Sequence, residues 1–413
     1  MAESLFCVSL SYLLLILFAK RRTRCKFTLV FQFFIGWLVL ELAAFHGVIN
    51  AAAILMAIGD AGDWQWHSYL GLIISFINLW LLKDIHALAC KSHLEFNKTL
   101  EIGLGENFKQ NIIEERANKL NAELPSWHRP FKLNNDSYEH FSHVVYGPND
   151  RNTLDLYKPK GGAYKPRPVM LQIHGGGWML GFSERQGLPL RNKLIEAGWI
   201  FVSINYRLSP QHPFPAHLID CKQAVRWIKE NISEYGGDPD FILATGGSAG
   251  GHLSTSLALT ANQHTHILQP GFEEADTRLN GCLPIYGVYD FLDRNRTRED
   301  MPIKDFLADK IMQCPPEGHE EIWDIASPMA QVDEDAPPFM VTHGQLDTLA
   351  FVEEAQYFAK ELRLKSKQPC VYTELEETQH AYDIFYSPRC IHTVNAMHTF
   401  SEYVYSQYLK DKS

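Results

Sequence analysis

The chain has 413 residues, 46% of them apolar, and a formal net charge of −10. That length allows one large catalytic domain with an appendage, and the apolar share supplies a sizeable core. Negative charge without a long Lys/Arg run argues against a nucleic-acid partner. The eight cysteines lie far apart, none at metal-ligand spacing, so neither a metal site nor a disulfide framework is expected.

Three apolar stretches open the chain. Ser4 to Ala19 carries no charge, Phe27 to Gly59 carries only Glu41, and Trp64 to Leu82 carries none. A membrane span needs about 20 apolar residues, so residues 1–90 are expected to form a membrane segment of about three helices in a multi-pass protein. The basic cluster Lys20-Arg21-Arg22 and Arg24 follows the first stretch rather than preceding it, which argues against a cleaved signal peptide. The positive-inside rule puts this cluster in the cytoplasm. If Phe27 to Gly59 crosses once, the loop Asp60-Ala61-Gly62-Asp63 lies outside and the catalytic part is cytoplasmic. A hairpin bent near Gly47 reverses that parity. One crossing is favoured, because two spans cut from that stretch would each be too short. Glu41, His46 and Asn50 are expected to snorkel or to pair between helices.

Residues 91–135 are mixed in character with helical periodicity, and are expected to be a linker or cap. From 136 to the end, strands alternate with helices, which predicts a largely parallel sheet covered on both faces. His143 to Tyr146 and Thr153 to Tyr157 predict a leading hairpin, and Val169 to Ile173 and Ile200 to Asn205 predict buried strands. A helix is expected over Ala216 to Ile232. The run Phe241-Ile242-Leu243-Ala244 predicts a strand leading into Gly246-Gly247-Ser248-Ala249-Gly250, which fits G-x-S-x-G with a helix beginning at about Ala249. Further strands are expected at Leu279 to Tyr286, Pro338 to Thr342 and Val371 to Leu375, and helices at Phe351 to Leu364 and His392 to Leu409.

A serine on so sharp a strand-to-helix turn has an exposed hydroxyl, and the helix N-terminus behind it favours developing negative charge. Ser248 is therefore the candidate nucleophile. After the strand at Val169 comes His174-Gly175-Gly176-Gly177-Trp178, a loop whose backbone can pass close to a ligand. Together with the N–H of Ala249, the N–H groups of Gly175, Gly176 and Gly177 are candidate oxyanion donors. The base and its orienting acid should follow in the order Ser, Asp, His. Asp347 and His380 each follow a predicted strand, so both are expected at the sheet edge that carries Ser248. His343, His392 and His398 rival His380, while Asp335 and Asp383 rival Asp347. Arg207 and Asp220 are expected to be structural partners.

In these motifs, and in Asn205-Tyr206-Arg207-Leu208-Ser209-Pro210, Pro213-Phe214-Pro215-Ala216 and His343-Gly344-Gln345-Leu346-Asp347, the chain resembles the hormone-sensitive-lipase branch of the α/β-hydrolases. Trp127-His128-Arg129-Pro130 and Arg151-Asn152-Thr153-Leu154-Asp155 resemble membrane-associated bacterial carboxylesterases in particular. The resemblance implies an α/β-hydrolase fold from about Tyr138 onward, ester hydrolysis through Ser248, Asp347 and His380, and no metal or organic cofactor. Gly247 departs from the branch, which usually has an Asp there, and the residues around His380 lack its Gly-Phe flavour. An amidase or peptidase of the same fold, or an inactive membrane-anchored binding protein, are the competing readings. The membrane segment points to an apolar or lipid-derived ester as substrate, and the oligomeric state is open.

Overall fold

The computed structural model describes residues 2–25, 27–60, 64–124, 138–162, 165–298 and 303–412. Trp127 to Pro130, Ala61 to Asp63 and the end of the 91–135 segment lie outside these. Eight strands form one sheet: β1 (Tyr138–Val145), β2 (Thr153–Pro159), β3 (Arg167–Ile173), β4 (Ile200–Ile204), β5 (Gly237–Gly247), β6 (Gly281–Ile285), β7 (Phe339–Gly344) and β8 (Cys370–Leu375). Their order is β1-β2-β4-β3-β5-β6-β7-β8. β1 and β2 form the antiparallel leading hairpin, and β2 runs antiparallel to β4. All later pairings are parallel.

Both faces of the parallel part are buried, which explains why its strands are nearly continuous apolar runs. Side chains alternate across the sheet. Val169, Leu171 and Ile173 share one core with Leu218, Val225, Leu253 and Leu257; Met170, Phe201 and Leu243 share the other with Leu194, Met397 and Phe400. Connecting helices cover the sheet and ensure that every parallel strand ends on the same edge.

The apolar N-terminus folds into α1 (Ala2–Ala19), α2 (Leu29–Glu41), α3 (Ala43–Gly59) and the 39-residue α4 (Trp66–Leu104). Among the described residues only α4 is long and apolar enough to cross a membrane by itself. α2 and α3 pass that test together, bent by 79°, and Ser4–Ala19 is a shorter apolar helix. α4 continues through residue 90, where the membrane segment was expected to end. Its second half is buried against the sheet, with Phe96 and Leu100 in the same core as Val371, Val394 and Met397.

α2 lies along the catalytic part rather than pointing away from it. Leu29 packs on Phe351, the Phe33 ring meets His380 edge-on at 6.1 Å, and the Trp37 indole N–H donates to the Ala381 carbonyl at 2.9 Å. Glu41 forms a fully buried ion pair with Arg389 at 3.2 Å. These four residues recur every fourth position, so they share one helix face. The other side of the helix leaves Phe31, Phe34 and Leu38 exposed.

Candidate active site

β5 lies mid-sheet and delivers Ser248 to the C-terminal edge. The helix α5 (Ala249–Leu259) starts at the next residue, so the chain must reverse within one position. Ser248 does this at φ 59°, ψ −124°, a conformation disfavoured for any residue with a Cβ. Its amide is fixed by the Ile285 carbonyl at 3.1 Å and its carbonyl accepts from His252 N at 3.0 Å. The turn closes because its glycines admit close contact. A Cβ on Gly250 would lie 2.1 Å from the Ile173 carbonyl oxygen, and one on Gly246 would lie 2.5 Å from that same oxygen.

β3 is the neighbour of β5, with Ile173 paired to Gly246, so the loop after β3 runs directly beside the serine. Gly175 there would clash with the Gly247 carbonyl if it carried a Cβ. Gly176 and Gly177 both have positive φ, 123° and 59°. The loop is pinned from behind. His174 Nδ1 donates to the Gly175 carbonyl at 2.8 Å, its ring stacks on Tyr206 at 4.3 Å, and the Tyr206 hydroxyl donates to its carbonyl at 2.8 Å. Burial pushes the His174 pKa down to about 4, so it is a neutral scaffold residue at physiological pH. The Trp178 indole donates to His252 Nδ1 at 3.0 Å, tying the loop to α5. Gly175 gives its own N–H to Gln186 Oε1 at 2.7 Å, which leaves Gly176, Gly177 and Ala249 as the better-placed candidate donors.

Asp347 and His380 come together. They sit on the loops that follow the paired strands β7 and β8, and His380 Nδ1 donates to Asp347 Oδ2 at 2.6 Å. Leu349 N and Ala350 N both donate to Asp347 Oδ1 at 2.8 Å. Burial would push this carboxyl up, but the His380 charge and hydrogen bonds from His343 and His380 outweigh it and hold it well below the usual carboxylate range. With Nδ1 committed to Asp347, His380 Nε2 is the nitrogen left to act as a base. The Tyr286 ring links this pair to the serine turn: it lies 4.5 Å from the His380 ring, and its hydroxyl would be 2.5 Å from a Cβ on Gly247.

The rivals have other partners. His343 Nε2 is shared between the Ala350 carbonyl at 2.8 Å and Asp347 Oδ2 at 3.2 Å, so it supports the acid. His392 bonds the Cys90 carbonyl and His398 bonds Glu402. Asp383 accepts from the Tyr286 hydroxyl, and burial pushes its carboxyl up. Asp335 is exposed, and its amide bonds to Asp333. Arg207 and Asp220 form an ion pair at 2.8 Å.

Gln379 escaped notice in the sequence. Its Oε1 accepts from Thr348 N at 2.8 Å and from His380 N at 3.0 Å, so one amide clamps the acid loop to the base loop. Only its place beside His380 hinted at this. The part played by α2 left no motif at all.

The sheet order and the edge on which these residues gather are those of the α/β-hydrolases, and the relatives narrow the class to carboxylic ester hydrolases. The BD-FAE family model matches residues 154–362, and the chain belongs to that family. Mycobacterium tuberculosis has a relative named "Probable carboxylic ester hydrolase LipM", 37% identical over 410 residues, covering 90% of this chain and 94% of that protein. A match this extensive reaches into the apolar first 90 residues. Esterase LipQ of the same organism is 37% identical over 302 residues, covering 72% of this chain and 69% of that protein. The crystal structure of an inhibited esterase B from Lactobacillus rhamnosis matches with TM-score 0.58 and 19% identity, covering 79% of this chain and 99% of that one, and shows the shared fold.

Proposed function

We propose that the protein is a membrane-anchored serine carboxylesterase or lipase that works through Ser248, His380 and Asp347. The observation that carries this is the 2.6 Å bond between His380 and Asp347, on neighbouring loops at the edge where Ser248 is held at a strained turn. Ser248 Oγ attacks the ester carbonyl carbon while its proton passes to His380 Nε2, and the carbonyl π pair moves onto oxygen. The N–H groups of Gly176, Gly177 and Ala249 are the proposed donors to that oxyanion. When the carbonyl reforms, the C–O bond to the alcohol breaks and the leaving oxygen takes the proton from His380. Water then attacks the acyl-enzyme by the same route, releasing the acid and restoring Ser248. Asp347 holds the imidazole in the required tautomer and stabilises its charged form. The mechanism calls for no metal or organic cofactor.

The bilayer is the proposed setting. α1, α3 and the first half of α4 present Leu14, Val48, Ile49, Leu55, Ile73, Phe76 and Trp80 outward, as a lipid-facing surface would. α2 packs on the catalytic part, which supports a single crossing in the stretch from 27 to 59, where α2 and α3 reach the length and hydropathy of a span only as one bent pair. Lys20 pairs with Glu377 at 2.6 Å, and Arg22 and Arg24 pair with Glu353. These ion pairs support a topology in which the basic loop and the catalytic part share one membrane face, and the positive-inside rule favours the cytoplasmic one.

A series of p-nitrophenyl esters from acetyl to palmitoyl tests the proposal, with detergent-solubilised protein assayed beside Ser248→Ala. Hydrolysis is expected in the wild type and a loss of at least about 10³-fold in the variant. A short-chain optimum identifies a carboxylesterase and a long-chain optimum a lipase. Equal activity in both proteins would refute the role of Ser248.

A further inference from the structure

We infer that α2, an apolar helix far from the serine motif in sequence, is a positioning element of the catalytic site: it holds the His380 loop in register with Asp347. This rests on His380 being the base proposed above.

Three α2 residues act on the base loop at separate points. Ala381, the residue after His380, has φ 58°, a left-handed conformation that costs free energy for a residue with a Cβ. Its carbonyl accepts the Trp37 indole N–H at 2.9 Å, and the same indole stacks on Phe385 at 4.6 Å. The loop is thus gripped on both sides of its short helical turn, Tyr382–Ile384. The Phe33 ring, one turn earlier, packs against the His380 imidazole in a T-shaped pair at 6.1 Å and stacks on Trp37 at 5.7 Å. Gly36 faces Gln379, the amide that bridges Thr348 N and His380 N; a Cβ there would come within 3.3 Å of Gln379 Nε2. The helix is itself tied at both ends, since the Thr348 hydroxyl of the acid loop donates to the Leu29 carbonyl at 3.4 Å and Arg389 of the closing helix donates to the Leu40 carbonyl at 3.2 Å.

Placement of a base tolerates little error, and a displacement of about 1 Å can cost about 10²-fold in rate. Loosening α2 should therefore lower kcat while leaving substrate affinity nearly intact.

The test uses full-length protein in detergent: Phe33→Ala, Trp37→Ala and Trp37→Phe, with Phe31→Ala as control. Phe31 lies on the exposed face of the same helix, 70% accessible. Steady-state kcat and KM, the rate of fluorophosphonate labelling and the melting temperature are measured for each. Phe33→Ala and Trp37→Ala are expected to lose about 10²-fold in kcat and a similar factor in labelling rate, with KM within about threefold. Trp37→Phe keeps the stack without the hydrogen bond and should fall between; it also serves if the alanine variant fails to fold. Phe31→Ala should match the wild type. Wild-type kcat in all the Phe33 and Trp37 variants overturns the inference, as does an equal loss in Phe31→Ala. Ser248→Ala is run alongside. A wild type with no Ser248-dependent turnover overturns the hydrolase proposal itself, whereas an active wild type with unaffected α2 variants overturns the role of α2 alone.

Discussion

Asp347 has every oxygen occupied. One accepts from two backbone amides and the other from His380 and His343. That set fixes its rotamer and favours its ionised form. Because its carboxyl is held below the usual range when folded, the stability it contributes is present above about pH 4 and is lost as pH falls through the folded value. Asp347→Asn should therefore unfold at lower denaturant than the wild type at pH 7, and the gap should narrow below about pH 4. Its kcat should drop roughly 10³- to 10⁴-fold, because the amide no longer enforces the His380 tautomer. An unchanged gap at low pH, or unaltered turnover, would contradict this role.

At the scale of elements, the turn after β5 was legible and its surroundings were not. The strand and helix patterns, the glycines and the chain order Ser248, Asp347, His380 can be read locally, because each depends on near neighbours. What packs against the turn cannot. Gly247 looked like a missing carboxylate in the sequence. In the structure it makes room for Tyr286, whose hydroxyl donates to Asp383, so these two occupy the space beside the turn. Placing Asp at 247 should destabilise the protein, because its Cβ would meet the Tyr286 hydroxyl at 2.5 Å and two ring carbons at 2.7 and 2.8 Å. A melting temperature several degrees lower is expected for Gly247→Asp, and partial recovery in Gly247→Asp with Tyr286→Ala. No recovery would mean that the clash is not with Tyr286. Glu41 pairs between helices, one of the two outcomes its sequence position allows, but nothing in the sequence names the partner. Its partner Arg389 stands 348 positions away in the closing helix Pro388–Asp411, a separation that no periodicity encodes.

The whole molecule departs furthest from what hydropathy suggests. Composition marks the first 90 residues as an appendage, yet α2 packs on the catalytic part, and α4 runs unbroken past residue 90 into its core. Removing one partner of the Glu41–Arg389 pair leaves a buried charge unpaired, which typically costs about 3–5 kcal/mol. Glu41→Ala should accordingly lower the melting temperature of the catalytic core, and not merely loosen membrane attachment; an unchanged melting temperature would show that the N-terminal helices dock weakly. A chain that begins at Lys91 should lose nearly all esterase activity, since it lacks Phe33, Gly36 and Trp37. Full activity in that truncation would restore the picture of a detachable anchor.

All of the proposed chemistry begins at Ser248, the proposed nucleophile of an ester hydrolase. The most direct measurement is fluorophosphonate labelling of the full-length protein, with the adduct located by peptide mass spectrometry. One adduct is expected, on Ser248, absent from Ser248→Ala and formed far more slowly in Asp347→Asn. Failure to label, or an adduct on a different serine that persists in Ser248→Ala, would contradict the assignment.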